Sequence, residues 1–384
     1  MTRRPWLLAA AVVASVLLFV TAFISPVASR TAAAVASVPG PDLSSRLLSY
    51  RGTIESLRAT QRYELATQRQ PSGTGLHYLM GSSELSSVVD QNPLRWLPAT
   101  TADFDLFLSG RGYVQSFAHA VELAAVAPLL RTKKVTLIIS PQWFTAEGSS
   151  QNAFKDVFSA SLWADMLDNR ELSPQLRQKL IARGTALGAA LPTNLQEQFD
   201  FRTLQLKQEV ASAWQLRGFT APYSQSAGSR PMAMTPWDQE YALADQQATA
   251  VSHNRFHIAD SYYETYVKAK EAEMKGSMAT SSYLQSPEYG DLGLFLDVAK
   301  ELGVQVQLVS VPMNGWWYDH LGYTAEARAH YYAKIRELAA ARSVRLADFS
   351  EREYQPAFLY DIMHLGWRGW LDVTRACYEF EKSA

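Results

Sequence analysis

The stretch "YVQSFAHAVELAAVAPLLRTKKVTLIIS" (residues 113–140) decides the fold class of this chain. Residues 113–130 carry apolar side chains at helical spacing, and residues 134–140 form a short β-branched run. A helix that alternates with a short apolar strand is typical of a parallel sheet whose two faces are both covered by helices. This stretch therefore predicts an α/β core.

The same alternation recurs toward both ends of the chain. Strands are predicted at residues 76–80, 103–110, 304–312 and 344–350, and helices at residues 292–303 and 325–342. The sheet is therefore expected to be assembled from both ends of the chain. That assembly would bring residues near position 80 beside residues near position 360.

Helical patterns without intervening strands fill the middle of the chain. Examples are "PQLRQKLIARGTALG" (residues 174–188) and "LQEQFDFRTLQLKQEVASAWQL" (residues 195–216). We interpret residues 154–275, approximately, as a helical insertion in the α/β domain.

The N-terminus predicts a membrane anchor. Arg3 and Arg4 precede an uncharged apolar stretch, residues 5–27, that is long enough to cross a bilayer as a helix. Positive charge before such a helix favours an inside N-terminus and an outside remainder. A cleaved signal peptide is the alternative interpretation. The expected organisation is an anchor at 1–27, a tether and helical lead-in at 28–75, and an extracytoplasmic domain at 76–384.

Composition argues against several classes of function. With 36 Lys and Arg against 37 Asp and Glu, the formal charge is −1, so no basic field indicates a nucleic-acid partner. Cys377 is the single cysteine, so no intrachain disulfide can form. His253 and His257 have a spacing that zinc could use, but no third ligand is suggested nearby, and we expect neither a metal nor a cofactor. His77, His119 and His330 lie within strand or helix patterns and are interpreted as structural.

Three loops with chemically useful residues are predicted where strands end. Because the carboxyl ends of parallel strands meet at one edge, these loops should converge there. They are "GSSE" (residues 81–84), "SPQWF" (residues 140–144) and "DIMHLG" (residues 361–366). Taken singly, each pattern also occurs in ordinary caps and turns.

Together the three loops supply the parts of a nucleophilic site. Asp361 and His364 are three positions apart, so on one helical turn they would face the same side. A carboxylate that orients a histidine is what a serine needs, because a hydroxyl is a weak nucleophile until a base accepts its proton. Ser83 or Ser82 could be that serine, and the side-chain amide of Gln142 could donate to a developing oxyanion.

The order of these elements resembles that of the SGNH/GDSL hydrolases. The apolar N-terminus together with "GSSELS", "SPQWF", "VPMNGWWYDHLGYT" (residues 311–324) and "DIMHLGWRGW" (residues 361–370) is similar, more narrowly, to the DltD family of D-alanyl-lipoteichoic acid biosynthesis proteins. The resemblance implies a three-layer α/β/α sheet of the SGNH type. It also implies an extracytoplasmic serine acyltransferase or esterase-like protein that handles D-alanyl groups destined for teichoic acids.

Residue by residue, the resemblance makes Ser83 the nucleophile with Ser82 as its rival, His364 the general base and Asp361 its orienting carboxylate. Gly110 or Gly112 stands at the family's glycine block, and Gly112 with Gln142 is the expected oxyanion pair, although the superfamily has asparagine where Gln142 stands. The side chains expected to contact substrate are Ser82, Glu84, Trp143, Asn314, Trp317 and Tyr318. The segment at residues 314–323 could instead be aromatic packing around a turn.

The resemblance also implies partners and a location. The expected partners are a teichoic acid polymer and, as further candidates, an acyl carrier protein and a membrane acyltransferase. The expected location is the cell membrane, single-pass, with the catalytic domain outside. Two other functions stay open: an esterase or thioesterase of the cell envelope with the same triad, and a non-catalytic scaffold that recruits an acyl carrier protein.

Overall fold

The computed structural model describes residues 47–48, 76–101, 103–130, 132–189, 203 and 230–383. The predicted anchor, the tether apart from residues 47–48, and the predicted helix at 195–216 apart from residue 203 lie outside the described residues. Within the described ranges, no helix has the length and apolar character needed to span a bilayer.

A parallel sheet forms the centre of the molecule. The strands are β1 Leu76–Gly81, β2 Asp105–Gly110, β3 Lys134–Ile139, β4 Gln305–Ser310 and β5 Arg345–Asp348. They run in the order β2-β1-β3-β4-β5, and the two residues Leu47–Leu48 pair with β2 at the outer edge. Every pairing is parallel, and each strand predicted from the sequence is present with its ends shifted by no more than two residues. The predicted α/β fold, built from both ends of the chain, is confirmed.

Helices fill the connections between the strands. Between β3 and β4 the described residues add no strand to the sheet, and the division into a domain with an insertion stays a prediction. The α-helices are α1 Pro93–Thr100, α2 Ser116–Val126, α3 Gln151–Val157, α4 Ala160–Asp168, α5 Pro174–Ala186, α6 Trp237–Thr249, α7 Asp260–Tyr262, α8 Glu271–Met274, α9 Glu288–Glu301, α10 Gly315–His320, α11 Ala325–Ala341 and α12 Trp367–Lys382. Short 3-10 helices lie at Ser83–Ser86, Ala127–Leu129, Pro141–Phe144, Met232–Met234 and Ser350–Arg352, and a π-helix lies at Tyr263–Val267.

Helix α2 is shorter than the apolar pattern at residues 113–130 predicts. Tyr113 has a φ of 72°, a left-handed conformation that a right-handed helix cannot include. At the other end Pro128 lacks a backbone N–H and its ring would clash with a carbonyl one turn earlier, so the chain tightens into the 3-10 helix Ala127–Leu129. Local backbone chemistry at two residues therefore sets both ends of α2.

Both faces of the sheet are buried, so the fold has three layers. Along β1, Tyr78 and Met80 pack into one apolar cluster, whereas Leu79 between them packs into the other. Helices α2, α9 and α11 contribute to the first cluster, and helices α1, α6 and α12 contribute to the second. Because side chains alternate along a strand, near-continuous apolar runs are required wherever helices cover both faces.

Candidate active site

Ser83 meets His364 at the carboxyl edge of the sheet. Ser83 begins the 3-10 helix that directly follows β1, and its Oγ lies 2.8 Å from His364 Nε2, although the two residues are 281 positions apart. On the far side of the imidazole, His364 Nδ1 lies 2.7 Å from Asp361 Oδ2. Serine, histidine and aspartate thus form one continuous hydrogen-bonded chain.

The Asp361–His364 segment is a turn and not the helical turn that the spacing suggested. Residues 361–364 are bends, and Asp361 Oδ1 accepts the backbone N–H groups of Met363, at 2.9 Å, and His364, at 2.8 Å. Aspartate favours turns of this kind because its side chain bonds its own backbone two residues on. The carboxylate is 3% exposed, so these bonds and the bond to the imidazole fix its position.

The surroundings of His364 raise its basicity. Burial lowers the pKa of His364, but the hydrogen bond that its ring donates to Asp361, the charge of Asp361 and the charge of Glu84 outweigh burial and hold the pKa above its ordinary value of 6.5. An imidazole of this kind is well suited to accept a proton from a serine hydroxyl and to hold it as an imidazolium.

The geometry separates the two candidate serines. Ser82 is buried, and its Oγ donates to the backbone carbonyl of Arg111 at 3.2 Å. Its hydroxyl is therefore used inside the protein, whereas its role as rival nucleophile or substrate contact stays a prediction. Ser83 is the serine that faces the histidine.

Gly112 lies beside Ser83, whereas Gly110 serves the sheet. A Cβ added at Gly112 would stand 3.9 Å from the Cβ of Ser83, but one at Gly110, where φ is 145°, would stand 1.8 Å from the carbonyl oxygen of Gly81. Within the described part of the chain, the backbone N–H groups of Ser83 and Gly112 make no hydrogen bond to another protein group. Two free N–H groups next to a nucleophile can stabilise an oxyanion.

Among the described residues, the side-chain oxygen of Gln142 accepts no hydrogen bond from Ser83. Gln142 lies in the 3-10 helix Pro141–Phe144 after β3, and its Oε1 is buried without a hydrogen-bond partner among the described residues. Its neighbour Trp143 is buried, with its ring centroid 6.3 Å from that of His119. Trp143 thus packs in the core, and the substrate contact expected there stays a prediction.

Glu84 also has a different place from the one expected. Its side chain is 1% exposed, and its Oε1 accepts the backbone N–H of Ser82 at 2.7 Å. Burial raises the pKa of Glu84, although bonds to the turn backbone and the charge of His364 oppose that rise. In the structure Glu84 supports the turn that carries Ser83, and the substrate contact expected there stays a prediction.

The aromatic segment after β4 is mostly core. Asn314 caps α10 by accepting from the N–H of Trp317 at 2.9 Å, and its amide donates to the carbonyl of Phe256 at 3.0 Å. Trp317 and Tyr318 are 5% and 6% exposed. In the structure these three residues cap and pack inside the protein, and the substrate contacts expected there stay predictions. Trp316, which precedes Trp317 and Tyr318 in the same helix, is partly exposed.

Tyr262 was not among the residues predicted to form the site, although it lies near enough to Asp361 for the charge of that carboxylate to act on it. Burial raises the pKa of Tyr262 to about 12, and the charge of Asp361 adds to the rise. Tyr262 is the last residue of the short helix α7, and it has no spacing relative to Asp361 that a sequence pattern could reveal. Of the two histidines considered for zinc, His253 is bound to Asp260, with 2.6 Å between Nδ1 and Oδ2. Within the described residues, no group of three metal-ligating side chains is close enough to hold a metal ion.

The fold and this geometry define a class of protein. It is a three-layer α/β protein in which a serine at the carboxyl edge of a parallel sheet is hydrogen-bonded to a histidine and, through it, to a buried aspartate. This is the arrangement in which a serine hydroxyl can be activated.

The chain belongs to the DltD protein family, whose family model matches residues 58–382. It is 32% identical over 322 residues to Protein DltD of Bacillus subtilis (strain 168), which covers 79% of this chain and 82% of the relative. It is 29% identical over 308 residues to Protein DltD of Staphylococcus aureus (strain NCTC 8325 / PS 47), covering 76% of this chain and 78% of the relative. Protein DltD of Lacticaseibacillus rhamnosus is 24% identical over 327 residues, covering 79% and 77%.

Proposed function

We propose that this protein is a membrane-anchored, extracytoplasmic serine acyltransferase that transfers D-alanyl groups to a teichoic acid polymer. The observation that carries the proposal is the 2.8 Å contact between Ser83 Oγ and His364 Nε2, backed by Asp361. Family membership supports the substrate class, and the apolar residues 5–27 after Arg3 and Arg4 support the membrane location. The three-layer sheet with these loops supports the SGNH-like class.

The first half-reaction forms an acyl-enzyme. Ser83 Oγ attacks the carbonyl carbon of an activated D-alanyl ester while His364 Nε2 takes the hydroxyl proton. The backbone N–H groups of Ser83 and Gly112 stabilise the negative oxygen of the tetrahedral intermediate. The bond from carbon to the leaving group then breaks, and His364 returns its proton to that leaving group.

The second half-reaction uses a hydroxyl of the polymer. His364 takes the proton of this hydroxyl, the new ester bond forms, and the bond from Ser83 Oγ to the acyl carbon breaks with return of the proton to Oγ. Water competes for the same acyl-enzyme, so exclusion of water decides between transfer and hydrolysis. A plain esterase or thioesterase would use the same three residues with water as the acceptor.

Product analysis tests the proposal. The full-length chain in detergent is incubated with an activated D-alanyl ester, with and without a poly(glycerol phosphate) acceptor, and the products are separated by mass spectrometry. We expect D-alanyl ester on the polymer in the wild type and none in Ser83→Ala. Free D-alanine as the sole product would indicate a hydrolase. A wild-type chain with neither product nor adduct would favour the scaffold.

The rate of acylation should rise with pH through a midpoint above 6.5. Below its pKa, His364 is protonated and Nε2 cannot accept the serine proton, and the pKa of His364 is raised. Glu84→Gln removes one of the charges that raise this pKa and keeps an oxygen for the N–H of Ser82, so its midpoint should lie lower than that of the wild type. The measurement is the pH profile of acyl-adduct formation under single-turnover conditions. Identical midpoints in the two proteins would show that Glu84 carries no charge that His364 senses.

A further inference from the structure

A buried polar network lies directly beneath the turn that carries Ser83. His119 of α2 is 0% exposed, and its Nε2 lies 3.0 Å from the backbone carbonyl oxygen of Gly81, the last residue of β1. Its Nδ1 lies 3.0 Å from Glu122 Oε2. Glu122 Oε1 in turn accepts the hydroxyl of Tyr78, at 2.6 Å, and that of Ser109. The network therefore joins β1, β2 and α2 at the end of the strand that leads into the candidate nucleophile.

The peptide unit between Gly81 and Ser82 is held at both ends. His119 binds its carbonyl, and Glu84 accepts its N–H at 2.7 Å. The space around it is closed, since a Cβ at Gly81 would stand 2.7 Å from Glu84 Oε1. One residue, Ser82, with φ −125° and ψ −133°, separates this peptide from Ser83. The orientation of the peptide, carried through these two torsions, therefore sets the direction in which the N–H and Cα–Cβ bonds of Ser83 point.

The chemistry of the contact fixes one proton. A carbonyl oxygen only accepts hydrogen bonds, so His119 Nε2 carries a hydrogen and donates it to Gly81. The second nitrogen shares a proton with Glu122, which is held in place by the two hydroxyl groups on its other oxygen. Every member of this network is buried, and buried polar networks are costly unless they are fully satisfied.

We propose that His119 is a positioning residue, which acts on the reaction by holding the Gly81–Ser82 peptide so that Ser83 faces His364. The proposal rests on the proposed function, in which Ser83 is the nucleophile. His119 touches neither the substrate nor the reacting atoms, so its effect should fall on the reactivity of Ser83 and not on the binding of a donor.

Two amide variants, each able to replace one of the two ring nitrogens, test the proposal. In His119→Asn, the amide reaches the position of Nδ1 and can keep Glu122, but it cannot reach Gly81. In His119→Gln, the longer amide reaches the position of Nε2 and can still donate to Gly81. The readout is the second-order rate constant with which a fluorophosphonate probe labels Ser83 in the full-length chain. In that step the bond from Oγ to phosphorus forms, fluoride leaves with the electrons of the phosphorus–fluorine bond, and His364 takes the hydroxyl proton.

His77 provides a matched control. It lies in the same strand, is equally buried, and its Nδ1 and Nε2 bind Glu381 and Thr136, both at 2.8 Å. It stands four residues before Gly81, roughly 13 Å along a strand. His77→Asn therefore removes a comparable buried contact far from Ser83, and the melting temperature of each variant reports the structural cost.

We expect His119→Asn to label about 10²-fold more slowly than the wild type, the usual cost of a misplaced reacting group. His119→Gln should label within about tenfold of the wild type, and His77→Asn should label like the wild type even where its melting temperature falls. The positioning role would be overturned if His119→Asn and His119→Gln labelled at the same rate, or if His77→Asn lost as much labelling rate as His119→Asn. If His119→Asn does not fold, His119→Gln decides alone: retained labelling supports the proposal, and a 10²-fold loss contradicts it. Failure of the wild type to label at Ser83 would overturn the proposed function itself, together with this proposal.

Discussion

Replacing Ser83 with alanine should abolish the covalent acyl adduct. The hydroxyl of Ser83 is the group 2.8 Å from His364 Nε2, so its removal leaves the base without a nucleophile to activate. Loss of the nucleophile from a triad costs roughly six orders of magnitude in rate. The measurement is intact-protein mass spectrometry of the full-length chain after incubation with an activated D-alanyl ester.

Ser82→Ala is the matched control for this experiment. The hydroxyl of Ser82 donates to the carbonyl of Arg111, so its loss should lower stability by about 1 kcal/mol and leave the adduct in place. An adduct that persists in folded Ser83→Ala would show that the nucleophile lies elsewhere. An adduct lost in Ser82→Ala alone would assign that role to Ser82.

Replacing Asp361 with asparagine should lower the rate of acylation by roughly 10³–10⁴-fold. The two oxygens of Asp361 accept from the N–H groups of Met363 and His364 and from Nδ1 of the imidazole. An asparagine has one oxygen, so its NH₂ group would meet a donor or force the imidazole into the other tautomer, in which Nε2 carries a hydrogen and cannot accept from Ser83. Single-turnover acylation with the activated ester measures the effect.

Glu381→Gln makes a comparable change at a site away from the serine. Glu381 binds the buried His77 at the opposite end of β1, with 2.8 Å between oxygen and nitrogen. This variant should lose stability and keep the acylation rate, whereas Asp361→Asn should lose the rate. Equal rates in Asp361→Asn and the wild type would mean that His364 is oriented without its carboxylate.

The sequence predicted the strands well because a strand buried on both faces needs mostly apolar residues, which are visible in the local composition. In β3, "KVTLII", every residue after Lys134 is buried and most are apolar, as a strand needs when helices cover both of its faces. The start of α2 was less predictable, because the spacing of apolar residues does not reveal the left-handed backbone at Tyr113. For the aromatic segment after β4 the sequence left both a substrate contact and packing around a turn open, because composition does not reveal whether Trp317 and Tyr318 face solvent or the core.

Short-range patterns were enough to predict a serine, a histidine and an aspartate in segments that follow strands of a parallel sheet, because neighbouring residues carry that information. The contact of Ser83, and not of Ser82, with His364 and the bond from His119 to the carbonyl of Gly81 appear only once the chain is folded. Each of these contacts joins segments that are distant in the chain and pack at one edge of the sheet to within a few tenths of an ångström, and no spacing along the chain encodes such a distance.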